Sequence, residues 1–202
     1  MTDTLAAARP PTLLSALARS AAPTRSRDVA AVVLGSLLLT ASAKLQVPFW
    51  PVPMTMQSLV VLLLGMSYGL RLGTATVLLY LAEGAVGLPV FAGTPERGIG
   101  LAYMMGPTGG YLIGFVLAAA ALGSLAERGW DRSLARIAAA MILGHLILFV
   151  PGVLWLAVSL GFAKAVAVGA TPFLAATALK TALGIALMPL AWRWARRRSA
   201  SD

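Results

Sequence analysis

Apolar runs of roughly twenty residues recur along the whole chain, separated by short breaks rich in glycine, proline or arginine. A helix rising 1.5 Å per residue needs ~20 such residues to cross ~30 Å of hydrocarbon. The pattern predicts six membrane-spanning helices, at Val29–Gln46, Met54–Tyr68, Leu72–Leu88, Thr108–Leu125, Leu134–Leu160 and Pro172–Trp192. The expected fold is all-α and polytopic. Residues 1–28 form an N-terminal tail, 29–192 the membrane domain and 193–202 a basic C-terminal tail.

Two connections break the helical pattern on the same predicted side. "QVPFWPVPM" (46–54) carries prolines at 48, 51 and 53, which forbid a continuous helix and favour an extended path. "GLPVFAGTPERGIGLAYMMGPTGGY" (87–111) is studded with glycine and proline. Irregular backbone near a bilayer is tolerated where it is buried in protein or lines a cavity. Loops 47–55 and 90–107 are therefore expected to cap a pocket.

Charge adds orientation. Of sixteen Lys and Arg, twelve fall on one predicted side: Arg9, Arg19, Arg25, Arg27, Arg71, Arg128, Arg132, Arg136, Arg193, Arg196, Arg197 and Arg198. The opposite loops hold Arg97 and Lys164, while Lys44 and Lys180 lie within spans. The positive-inside rule then places both termini in the cytosol. The net charge of +9 reads as topology and attraction to anionic membrane lipids, not as a nucleic-acid signal, since no basic stretch is interleaved with aromatics. No cysteine is present, which removes thiol chemistry, disulfides and cysteine metal sites. "VAAVVLGSLLLT" followed by "ASA" (41–43) imitates a secretory signal, but the 28-residue leader and the apolar continuation keep it as a span.

Candidate chemistry is sparse. "GPTGGYLIGF" (106–115) looks like a phosphate-cradling turn, but Tyr111 and Leu112 stand where a P-loop needs Lys and Ser/Thr. Its glycines serve either close backbone approach or, with Thr108 and Tyr111, hydrogen bonding to a small molecule without fixed charge. "GMSYG" (65–69) matches the hydrolase elbow G-x-S-x-G, which would require Ser67 to work with the lone histidine, His145. A histidine inside a span more often bonds to a neighbouring helix.

Ionisable residues within spans carry the strongest general signal of function. Lys44 sits near a span end and can snorkel; Glu83 and Lys180 lie deeper, Lys180 eight residues into its span, or ~12 Å. Glu83 and Lys180 form either a structural ion pair or part of a site in which Lys180 and Arg97 meet an anionic ligand. Ala31 and Gly35 form a small-xxx-small pair suited to close helix contact.

Four blocks together resemble the BioY family, the biotin-specific substrate-binding components of energy-coupling-factor (ECF) transporters. They are "VPFWPVPMTMQSLVVLLLG" (47–65), "GLRLGTATVLLYLAEGAVGLPVFAG" (69–93), "GIGLAYMMGPTGGYLIGF" (98–115) and "TPFLAATALKTALGIAL" (171–187). The resemblance implies a six-helix protein of the bacterial inner membrane that binds biotin from outside, without a cofactor and without catalysis. It also implies partners: a transmembrane coupling subunit, docked through Ala31 and Gly35, and two ATPase subunits. It places the ligand among Gln57, Glu83, Arg97, Thr108, Tyr111, Thr177 and Lys180, with the carboxylate meeting Lys180 or Arg97. Family members commonly carry an acid three positions before this lysine; here the position is Thr177, leaving Thr177, Glu83 or Gln57 to accept from the urea.

Overall fold

The computed structural model describes residues 12–17, 24–47 and 54–200. Residues 48–53, the heart of the first expected cap, lie outside the described residues, as does most of the N-terminal tail. In chain order the helices are α1 (Leu13–Leu17), α2 (Thr24–Lys44), α3 (Gln57–Ala85), α4 (Gly100–Met104), α5 (Gly109–Ala126), α6 (Leu134–Leu160), α7 (Phe162–Gly169) and α8 (Leu174–Ala200). Two 3-10 turns, Trp130–Arg132 and Thr171–Phe173, precede α6 and α8. The described strands, β1 (Gln46–Val47) and β2 (Met54–Thr55), pair antiparallel and clip together the two ends of the proline loop.

Among the described residues, five segments are long and apolar enough to cross a membrane: Arg25–Lys44, Gln57–Ala85, Gly109–Ala126, Leu134–Leu160 and Phe162–Arg198. Five rather than six arises because two predicted spans share the element α3. That element is not one rod. Gly69 has φ 81° and ψ 179°, a conformation that glycine alone adopts readily. A Cβ on Gly73 would lie 3.0 Å from the Gly65 Cα, whereas a straight helix separates these residues by ~12 Å. The two arms, 57–68 and 70–85, are therefore folded back on each other. The predicted break between residues 68 and 72 falls at this reversal.

Small residues set the helix spacing. Lipid offers no hydrophobic drive for helix association, so close backbone approach must supply the packing energy. A Cβ on Gly65 would meet the Ala119 carbonyl of α5 at 2.7 Å, and one on Gly114 the Leu148 carbonyl of α6 at 2.6 Å. The outward faces are aliphatic. Leu34, Leu37 and Leu38 of α2 and Leu146, Val150 and Leu154 of α6 are all more than half exposed. In water such surfaces would aggregate; facing acyl chains they are matched.

Candidate functional site

The polar core lies where the first arm of α3 meets α6 and α8. Lys180, six residues into α8, is 6% exposed. Its ammonium donates to Ser58 Oγ at 2.9 Å, and among the described residues no carboxylate pairs with it. On the adjoining face of α8, Thr181 Oγ1 lies 3.4 Å from His145 Nδ1, and that nitrogen is also 2.9 Å from the Met141 carbonyl. His145 is buried, and among the described residues its Nε2 has no hydrogen-bond partner. Thr177 sits one turn before Lys180 and is half-buried.

A second cluster seals the bundle end that carries loop 86–108. Phe91 stacks on Tyr103 with centroids 4.8 Å apart and meets Tyr80 edge-on at 5.4 Å. Gly84 is where Phe91 seats, since a Cβ there would collide with its ring. Gln57 Nε2 donates to the Tyr80 hydroxyl at 2.8 Å, and that hydroxyl donates to the Val90 carbonyl at 3.1 Å. Tyr103 donates to the Ala92 carbonyl at 2.8 Å. Lys44 does more than snorkel. Its ammonium donates to the carbonyls of Phe91 and Thr94 and to Thr94 Oγ1, at 3.1, 2.7 and 2.8 Å, pinning the loop to the end of α2. Arg97, on the same loop, is exposed, its aliphatic stem against Gly93.

The glycine turn opening α5 serves packing. Cβ atoms on Gly109 and Gly110 would collide with the Met104 and Pro151 carbonyls, with Trp155 alongside both. Trp155 Nε1 donates to the Gly106 carbonyl at 3.0 Å, closing the turn against α6. Thr108 occupies the N-cap position without a side-chain capping bond and is half-buried. The Tyr111 ring lies over Gly152 and packs edge-on against Phe149, and its hydroxyl donates to the Gly169 carbonyl at 2.7 Å. Tyr111 therefore ties α5 to α7, and its hydroxyl proton is already used.

One open alternative closes, one expectation changes, and a disfavoured reading finds no support. No Glu83–Lys180 pair forms: Ser36 Oγ of α2 donates to Glu83 Oε2, while Lys180 faces Ser58. Ala31 and Gly35, expected at a partner interface, are buried within the chain, where a Cβ on Gly35 would lie 2.6 Å from Thr76 Cγ2 of α3. Gly35 does mediate a close approach, but to α3. Ser67 and His145 form no dyad: Ser67 Oγ faces Met188 Sδ at 3.8 Å, while His145 sits beside Thr181, seven residues or ~10 Å earlier on α8. Of the expected ligand residues, Lys180 and Thr177 share the polar core, Gln57 leads to the aromatic cluster, Glu83 bonds Ser36 beside it, Arg97 lies on its loop, and Thr108 and Tyr111 belong to the packed start of α5. Ser58 and the Phe91–Tyr103–Tyr80 cluster escaped the sequence reading, since nothing in a serine or an isolated aromatic marks its distant partner.

The BioY family model matches residues 14–197. A probable biotin transporter BioY of Pyrococcus horikoshii is 37% identical over 163 residues, covering 80% of this chain and 93% of its own length. A biotin transporter BioY of Rhizobium etli is 36% identical over 174 residues, covering 80% of this chain and 91% of its own. The fold matches a crystal structure of the S-component for biotin from an ECF-type ABC transporter, with a TM-score of 0.70 at 21% identity, over 85% of this chain and 95% of that one.

Proposed function

The chain belongs to the BioY family, and from that premise we propose that it is the biotin-capturing component of a vitamin uptake transporter. It is a multi-pass membrane protein. The two arms of α3 cross separately, giving six spans, and the arginine-rich ends carry both termini into the cytosol. The bacterial inner membrane is its place, and loop 86–108 faces outward as the cover of the pocket. Lipids surround it; a coupling subunit and two ATPase subunits drive release inward. Capture is binding without bond making, so the chain needs no catalytic group or cofactor.

The observation that carries this reading is Lys180. A buried ammonium with one neutral partner, Ser58, and no carboxylate among the described residues retains donors that an incoming acceptor can satisfy. Biotin brings such acceptors on an apolar body that suits the surrounding aliphatic bundle. Loops tied down by Lys44 and Phe91 would shut water out around it. Enclosure matters, because a nanomolar site needs about −12 kcal/mol, and for ~16 ligand atoms that far exceeds the ~0.3 kcal/mol per atom of ordinary drug-sized ligands.

The test is equilibrium binding of labelled biotin to the purified protein in detergent, with thiamine and riboflavin as competitors. Nanomolar saturation that neither competitor displaces is expected. Displacement by either vitamin, or no saturation by a folded sample, would overturn the assignment.

A further inference from the structure

His145 is buried to 3% exposure with one ring nitrogen satisfied and the other not. The Met141 carbonyl, 2.9 Å from Nδ1, can only accept, so the proton of the neutral ring sits on Nδ1. Nε2 is then a bare acceptor with no hydrogen-bond partner among the described residues. Thr181 Oγ1, 3.4 Å from Nδ1, holds the ring against α8 one residue beyond Lys180. Lys180 itself has three N–H donors and gives one to Ser58. Lys180 thus keeps surplus donors and His145 a surplus acceptor, both buried at the contact of α6 with α8, each costly to leave unmatched.

A carboxylate answers half of this arrangement. It accepts from the ammonium but has no hydrogen to offer Nε2. A neutral –NH–C(=O)– group answers both halves, its oxygen accepting from Lys180 and its N–H donating to His145. Among the polar groups of biotin, the cyclic urea has this pairing. Resting on the biotin reading above, we propose that His145 Nε2 is the specificity-determining acceptor for a ureido N–H, with Lys180 on the oxygen of the same urea. The ligand's tail then runs toward the loop end, where Arg97 is an exposed cation.

The test uses the full-length protein in detergent, titrated with biotin and with two cyclic carbamates in which one or the other ureido N–H is replaced by oxygen. The replacement removes a donor at nearly constant shape. Wild type is expected to bind biotin and to reject one carbamate by roughly tenfold to a hundredfold, the effect of leaving a buried polar group unpaired. His145→Phe keeps the ring volume without the acceptor; it should lose biotin affinity by a similar factor and no longer distinguish biotin from that carbamate. His145→Gln offers an amide oxygen near Nε2 and should recover part of both. Thermal melting of each variant checks the fold. If His145→Phe binds biotin like wild type, or loses biotin and carbamate affinity equally, the imidazole has a packing role and the inference falls alone. If folded wild type binds no biotin, the functional reading falls and takes the inference with it.

Discussion

Gln57 and Tyr80 are 23 residues apart in sequence, yet the Gln57 amide donates to the Tyr80 hydroxyl at 2.8 Å. In an unbroken helix they would be about 34 Å apart. The bond exists because the chain reverses at Gly69, and it brings the start of one arm of α3 beside the end of the other. From Tyr80 the hydrogen bonding continues to the Val90 carbonyl, so the reversal at one end of the bundle positions the loop at the other.

Gly69→Ala tests that reversal. Its φ of 81° with ψ of 179° strains any side-chain-bearing residue by about 1–3 kcal/mol. A Cβ would also meet Glu127 Oε1 and Thr12 Cγ2 at 2.9 Å each. The variant should melt below wild type in detergent and bind biotin more weakly, since Gln57 and Tyr80 lose their register. Unchanged melting and affinity would contradict the hairpin.

Lys180→Met separates stability from function. Methionine fills a similar volume without a charge that needs answering, and a buried unpaired ammonium costs several kcal/mol. The variant's melting temperature should equal or exceed that of wild type. Its affinity for biotin should fall roughly 10- to 150-fold, matching the ~1.5–3 kcal/mol of a charge-assisted hydrogen bond. A drop in melting temperature with little loss of binding would show Lys180 to be a structural strut.

The spans were legible in the sequence because hydrocarbon thickness fixes the length of an apolar run; α6 coincides with its predicted span at both ends, Leu134 and Leu160. What stayed open was the role of small and polar residues, whose meaning depends on which helix comes near. Gly109 and Gly110 look locally like a ligand cradle, yet Trp155 and Pro151 fill the space a cradle would leave. Ala31 and Gly35 announced a close contact, but not that Thr76, some forty positions later, would supply it. Lys180 stood out as an ion inside a span, whereas Ser58, 122 residues away, carried no local mark. His145 was legible as a helix–helix bonder, and it does sit beside Thr181; its unmatched Nε2 appears only in three dimensions.

Phe91→Ala probes the covering loop. Phe91 is 1% exposed and holds the loop through Tyr103, Tyr80 and Gly84. Removing a buried aromatic ring costs about 3–5 kcal/mol in a packed core. Part of that loss should appear as easier opening of the loop, so labelled biotin should dissociate at least about tenfold faster, with a smaller change in its association rate. Dissociation at the wild-type rate would mean that the loop does not hold the ligand in.

At the opposite end, Asp131 offers a pH-dependent test. Its carboxylate accepts from Trp192 Nε1 at 2.9 Å, and the Arg132 guanidinium lies over the same indole at 4.9 Å. Burial pushes the Asp131 carboxyl above the usual carboxylate range, although the Trp192 hydrogen bond and Arg132 pull it down. An acid whose folded pKa exceeds its unfolded value binds more protons when folded. Its stabilising contribution is thus complete below the unfolded pKa of 3.8 and is lost as pH rises through the folded value. Asp131→Asn keeps an oxygen for the indole and removes the titration. It should melt at or above wild type near neutral pH, and the gap should narrow or reverse in acid. Asp131→Ala, by contrast, strands the buried indole N–H and should cost about 1–3 kcal/mol at every pH. A gap between Asn and Asp that widens toward acid would show that the ionised carboxylate, not the protonated one, supports the fold.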